Sequence, residues 1–149
     1  MDHLLKFLES QRLLVLASAD TEPWISNIFY GIDKDFKLYF ISNVEAKHSE
    51  QILKNPQVAF SVAWYNPKNH KDRKAVQAKG ICRIAKNDQE IERGVNLHNK
   101  NFPEFLEKIN VEWARQENNS SKVWVIEPTY IKFWNDELYG KDGIEEFRL

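Results

Sequence analysis

The sequence predicts a mainly β protein, an antiparallel six-stranded split β-barrel with helices packed on its outside. Three observations carry that prediction. Short runs with a two-residue apolar period follow one another through short turns, which favours antiparallel pairing. Several of these runs, such as "WISNIFYGID" and "PQVAFSVAWY", are apolar or small on both faces, more than a single open sheet would cover. Helical spacing is confined to separate stretches between the strands.

In order, "DHLLKFLESQ" has apolar residues at 4, 5, 7 and 8 and reads as a short amphipathic helix. "RLLVLASAD" is a strand, and "ADTEP" turns the chain into a second strand, "WISNIFYGID". There Trp24, Ser26, Ile28 and Tyr30 share one face and Ile25, Asn27 and Phe29 the other. "DKDFK" closes a hairpin into "LYFIS", after which "EAKHSEQILKN" is a helix stopped by Asn55-Pro56. "PQVAFSVAWY" puts Val58, Phe60, Val62 and Trp64 on one side and Ala59, Ser61 and Ala63 on the other. Beyond the polar loop "NPKNHKDRK", "AVQAKGICRIA" is a long strand with Gly80 in its middle, a place for a bulge or bend. Asp88 and Pro103 stand as start signals for two helices, and "KVWVIEPTYIKFWND" is a last strand interrupted at Pro128. The tail from Glu137 carries no decisive pattern.

The 149 residues show no repeat, linker or low-complexity segment, so residues 1–149 are expected to form one domain. At that length a chain buries about 68–70% of its unfolded surface, enough for a core without staples. A formal net charge of −1 gives no broad field for a polyanion or an acidic membrane, so neither nucleic acid nor membrane is expected as a partner. The lone Cys82 excludes an internal disulfide, and His3, His48, His70 and His98 are too dispersed for a zinc motif. The N-terminal apolar runs, broken by Glu9 and Arg12, are too short for an export signal, so the expectation is a metal-free cytoplasmic protein.

Local chemistry concentrates where "LYFIS" runs into its helix. Ser42 and Glu45 have capping-box spacing. Lys47 and His48 in the first turns oppose the helix dipole, a placement that becomes favourable when an anion sits at the helix N-terminus. Gln77 on its strand is ordinarily a solvent-facing residue, yet its amide offers the donors and acceptor that a heteroaromatic edge needs. Cys82 falls on an apolar face and carries no catalytic role. The absence of a glycine-rich phosphate loop and of a G-x-S-x-G elbow sets aside nucleotide hydrolysis and common acyl transfer. The basic loop and the tryptophans leave a barrel for single-stranded nucleic acid as the weakest alternative.

The series "WISNIFYGID", "LYFISNVEAKHSEQILKNPQVAFSV" and "AVQAKGICRI" resembles the pyridoxamine 5′-phosphate oxidase-like superfamily of flavin-binding split barrels, over roughly residues 10 to 86. The tail "VWVIEPTYIKFWNDELYGK" is similar to that of a short single-domain branch. The resemblance implies a homodimer that holds FMN in a groove at its interface. Ser42, Lys47 and His48 would hold the phosphate, Ser26, Asn27 and Ile28 would run beside the isoalloxazine through backbone groups, and Gln77 would meet its polar edge. It further implies a flavin-dependent oxidoreductase acting on an unidentified small molecule, or a non-catalytic module for flavin or another planar cofactor such as haem or a deazaflavin. No residue is assigned a catalytic role. The residues by which the oxidase itself grips pyridoxamine phosphate are not recognisable, so that reaction is not expected.

Overall fold

The computed structural model describes residues 1–149. It runs α1 (Asp2–Ser10), β1 (Leu13–Ala19), β2 (Pro23–Phe29), β3 (Gly31–Ile32), β4 (Leu38–Asn43), α2 (Lys47–Lys54), β5 (Gln57–Tyr65) and β6 (Arg73–Ile84). It continues through α3 (Asp88–Asn101), a 3-10 turn at Pro103–Phe105, α4 (Val111–Arg115), β7 (Ser121–Asn135), α5 (Asp136–Tyr139) and β8 (Ile144–Arg148). All pairings are antiparallel, in the order β2-β1-β5-β6-β7-β4-β3, with β8 added beside the second half of β7. The sheet curls until β2 and β4 touch without forming a ladder, and this seam is the split of the barrel. No helix is long and apolar enough to cross a membrane.

The barrel interior is filled from alternate positions of the strands, including Leu16, Phe40, Phe60, Val76, Trp124 and Phe133, while Leu4, Phe7 and Leu8 of α1 join the same core. A smaller cluster of Tyr39, Val95, Ala114, Val123 and Val125 lies outside the barrel, where α3 and α4 cover β4 and the first half of β7. Alternation explains both: one face of β7 packs inward and the other beneath the helices.

Eight strands stand where six were expected. The "WISNIFYGID" stretch divides at Tyr30, whose hydroxyl donates to Leu8 O (2.7 Å) and whose N–H donates to Arg12 O. The two residues beyond it pair with β4 as β3. The other addition, β8, comes from the tail that had no decisive pattern. Asn87 caps α3 by accepting from Glu90 N–H, one residue before the start signal read at Asp88. The stretch after Pro103 does not make one full helix. It forms the 3-10 turn and then α4, whose N-cap Asn110 accepts from Trp113 N–H, while Asn99 donates to Ile109 O and ties the loop between them to α3.

The expected interruption at Pro128 is absorbed within one continuous β7. Lys79 is paired with Tyr130 and Gly80 with Pro128, so Thr129 is an extra residue forming a β-bulge opposite Gly80, which was read as a bulge position. Proline is tolerated there because a bulge does not require its missing N–H. A side chain at position 80 has no room, since a Cβ would press on the Glu127 carbonyl oxygen and sit 2.8 Å from Pro128 Cα.

Candidate functional site

The sheet register lines up outward-facing side chains across six strands. One row is Ile25, Ala17, Ala59, Lys79, Tyr130 and Arg148, and the next is Asn27, Val15, Ser61, Gln77, Lys132 and Glu146. Where α3 and α4 cover the first half of β7, the face of β2, β1 and β5 is largely open, touched at Phe29 by the ring of Phe102 just past α3 (centroids 5.1 Å apart). Ile25 is 68% and Phe29 59% exposed, and Leu13 beside Phe29 is exposed as well. An apolar face this open is unusual for a monomer surface. Between its larger side chains, Ala17 and Ala59 make a low floor. Asn27 and Gln77 flank this floor in the second row, three strand spacings apart, or about 14 Å.

Ser26 points the opposite way from Asn27, into the seam. Its Oγ lies 3.2 Å from His48 Nδ1, and Ser42 Oγ from β4 lies 2.8 Å from His48 Nε2. The imidazole is 8% exposed and burial lowers its pKa, so it sits neutral between the two hydroxyls, donating to one and accepting from the other. A serine–histidine pair of this length resembles an activated nucleophile, but a serine rather than a carboxylate orients the ring, and an imidazolium formed here would be buried without a counter-charge. The pair therefore fastens the seam. Ile28 turns its side chain into the core, leaving only backbone for any ligand. Because β2 pairs with β1 alone, alternate residues of β2 direct N–H and C=O groups towards the seam.

Helix α2 starts at Lys47, after Ala46, so the capping box read at Ser42 and Glu45 does not form. Asn43 Oδ1 instead accepts from Glu45 N–H (2.8 Å), and Ser42 stays in β4 with its hydroxyl on His48. The first N–H groups of the helix have no intrahelical acceptors, as at any helix start. Lys47 Nζ lies 2.6 Å from Glu22 Oε1 and 4.2 Å from the centroid of Trp24. Gln51 accepts from Ser18 Oγ and donates to Glu22 O, which fixes the turn carrying Glu22 against α2.

The predicted site residues thus fall into two groups: Ser26, Ser42, Lys47 and His48 meet at the seam, and Asn27 and Gln77 share the outer face. Sequence reading missed Glu22, Trp24 and Gln51 as parts of the seam, since nothing in "ADTEPW" beyond a turn signal places Glu22 against a lysine twenty-five residues on. Cys82 is buried, and that burial pushes its thiol up to about 12.

A curled antiparallel sheet open along one seam, with a helix standing in the seam, places the protein among the split barrels. The chain belongs to the pyridoxamine 5′-phosphate oxidase family, whose model matches residues 1–135. A UPF0306 protein of Yersinia pseudotuberculosis is 28% identical over 139 residues, covering 91% of this chain and 86% of that relative. Among solved structures, a heme binding protein from Mycobacterium smegmatis superposes with a TM-score of 0.72 at 15% identity, covering 93% of this chain. This chain spans 53% of that mycobacterial protein. A NimC/NimA family protein from Clostridium acetobutylicum superposes with a TM-score of 0.69 at 19% identity, covering 100% of this chain and 92% of the other.

Proposed function

We propose that the protein binds FMN on the open face of β2, β1 and β5, at the interface of a homodimer, and acts as a flavin-dependent oxidoreductase on a small molecule. The observation that carries this reading is the open apolar face, with its alanine floor and flanking amides, beside a helix start bearing Lys47. Exposed Ile25, Phe29 and Leu13 suit a self-complementary contact with a second copy, which would also exclude water from a ring bound between the two.

The residues fit such a group. Lys47 and the opening N–H groups of α2 supply donors for a phosphate, and Ser42 adds a hydroxyl whose direction His48 fixes. Ala17 and Ala59 leave room for a flat ring, the backbone of Ser26–Ile28 runs along its side, and Gln77 meets its polar edge. When bound, the flavin supplies the electron or hydride chemistry, while the protein supplies position, electrostatics and dryness. The second reading is a binding module for another planar cofactor, favoured by the shared fold of the mycobacterial heme binding protein.

The test is to load the purified protein with FMN, remove the excess and record the visible spectrum, then repeat with Lys47→Ala. Retained flavin bands, with affinity falling about tenfold in the variant for one charged hydrogen bond lost, support the reading. A protein that retains no flavin but retains a tetrapyrrole selects the second reading.

A further inference from the structure

Both outward rows continue past the cofactor face onto β6, β7 and β8, and there their chemistry changes. Lys79 and Arg148 stand opposite Tyr130 from its two sides, and Lys132 lies two residues further along β7. Lys79 Nζ is 6.0 Å and the Arg148 guanidinium 5.4 Å from the Tyr130 centroid, and Lys132 Nζ is 5.9 Å from that of Trp134. None of these three cations forms an ion pair, whereas Arg73, also over Trp134, is committed to Asp136 and Asp142. The carboxylate in the same rows is Glu146, which accepts from the Tyr130 hydroxyl.

We infer that Lys79, Lys132 and Arg148 form an anion-binding wing that takes the phosphate or carboxylate groups of a small aromatic ligand. Diagonal neighbours on a sheet stand about 7–8 Å apart, so the three cations repel one another unless an anion comes between them. Their clustering is local, because the chain as a whole carries a net charge of −1. Gln77 and Ser61 in the second row join the wing to the alanine floor, so a flat ring lying there can direct its charged group to the wing. The cations span two strand spacings, about 10 Å, which matches one nucleotide-sized molecule. It is too short to track a polynucleotide, and beyond it the rows carry no further cation, ending at Ile25 and the uncharged Asn27. The wing lies apart from Lys47, and it takes its ligand when the alanine floor is empty, since a flavin lying there would occupy the place of the ring.

The experiment titrates the full chain at low salt by calorimetry with ADP as the phosphate probe, protoporphyrin IX as the carboxylate probe, adenosine as the uncharged control and a ten-residue thymidine oligonucleotide. The same probes are applied to Lys79→Gln/Lys132→Gln, whose side chains are at the surface, and to Lys47→Ala. The expected result is binding of ADP or protoporphyrin IX, weakened at least tenfold in the double variant and by added salt, untouched by Lys47→Ala, with no adenosine binding. Which anion binds names the source of the charge. Failure of both anions to bind, equal binding by the double variant, or tighter binding of the oligonucleotide overturns the inference. Loss of FMN retention alone leaves it standing and removes only the flavin reading.

Discussion

His48 Nε2 lies 2.8 Å from the hydroxyl of Ser42, and through its other nitrogen the same ring reaches Ser26 on a strand that has no ladder to β4. A protonated ring carries a proton on both nitrogens and can no longer accept from either serine, while burial disfavours its charge. The folded-state pKa is therefore below the unfolded one. The unfolded chain binds the extra proton first, so stability is full above about 6.5 and falls as pH drops from there towards the lower folded value. Urea denaturation across pH 5 to 8 should show this slope, and His48→Gln should remove it. His48→Ala, which leaves two part-buried hydroxyls unpaired, should lower stability by about 1–3 kcal/mol at pH 8.

Glu22 holds Lys47 with an ion pair of 2.6 Å at an exposed position. On the flavin reading, this carboxylate competes with the ligand phosphate for the ammonium. Glu22→Gln should strengthen FMN binding a few-fold at most, as befits an exposed pair, and leave riboflavin binding unchanged. Equal effects on the two flavins would show that Glu22 acts elsewhere.

Arg83 makes a two-pronged contact with Glu90 (2.9 and 2.8 Å) and a third bond to Glu127. The Arg83 hydrogen bonds, aided by Lys86 N–H, lower the Glu90 carboxyl to about 2 from its ordinary 4.5. A depressed carboxylate stabilises the fold above the ordinary value and loses that contribution as pH falls from 4.5 to about 2. Glu90→Ala should cost about 3 kcal/mol near neutrality and flatten the acid limb of a melting-temperature profile, because Arg83 is left half-paired in a largely buried place. A variant that keeps the acid limb unchanged would show that other carboxylates govern it.

Gly80→Ala should destabilise the fold by about 3 kcal/mol, at the upper end of overpacking, since its methyl group meets backbone and not a movable side chain. Chemical denaturation measures the loss. A near-neutral result would mean that the bulge relaxes freely.

Much of the architecture was legible because alternation survives in the strands: the inward set Val76, Ala78 and Cys82 follows from spacing, and the irregularity at Gly80 from a glycine in mid-strand. Strand β8 was not legible, because "IEEFR" buries little and takes its structure from the edge of β7. The capping box failed for a related reason. Ser42 meets both criteria of the local pattern, but its hydroxyl is claimed by His48 across the seam, a tertiary partner that no local rule contains. At the site, Lys47 and His48 were singled out by their conflict with the helix dipole, yet their actual partners, Glu22 and Ser26, lie on β2 and its preceding turn.

Thr129 has a consequence for the whole of β7. Before it, odd-numbered residues such as Val123 and Val125 face outward under the helices; after it, Tyr130, Lys132 and Trp134 do. One unpaired residue thus shifts the phase of the strand, so that Trp124 and Ile126 on one side and Ile131 and Phe133 on the other all reach the same interior. The two halves are read in different frames. Deleting Thr129 would turn two apolar anchors to solvent and carry Lys132 into the barrel, whereas substitutions at 130, 132 and 134 leave the first half untouched. The charge pattern of the second half can therefore be rewritten for a new ligand without re-solving the packing of the first.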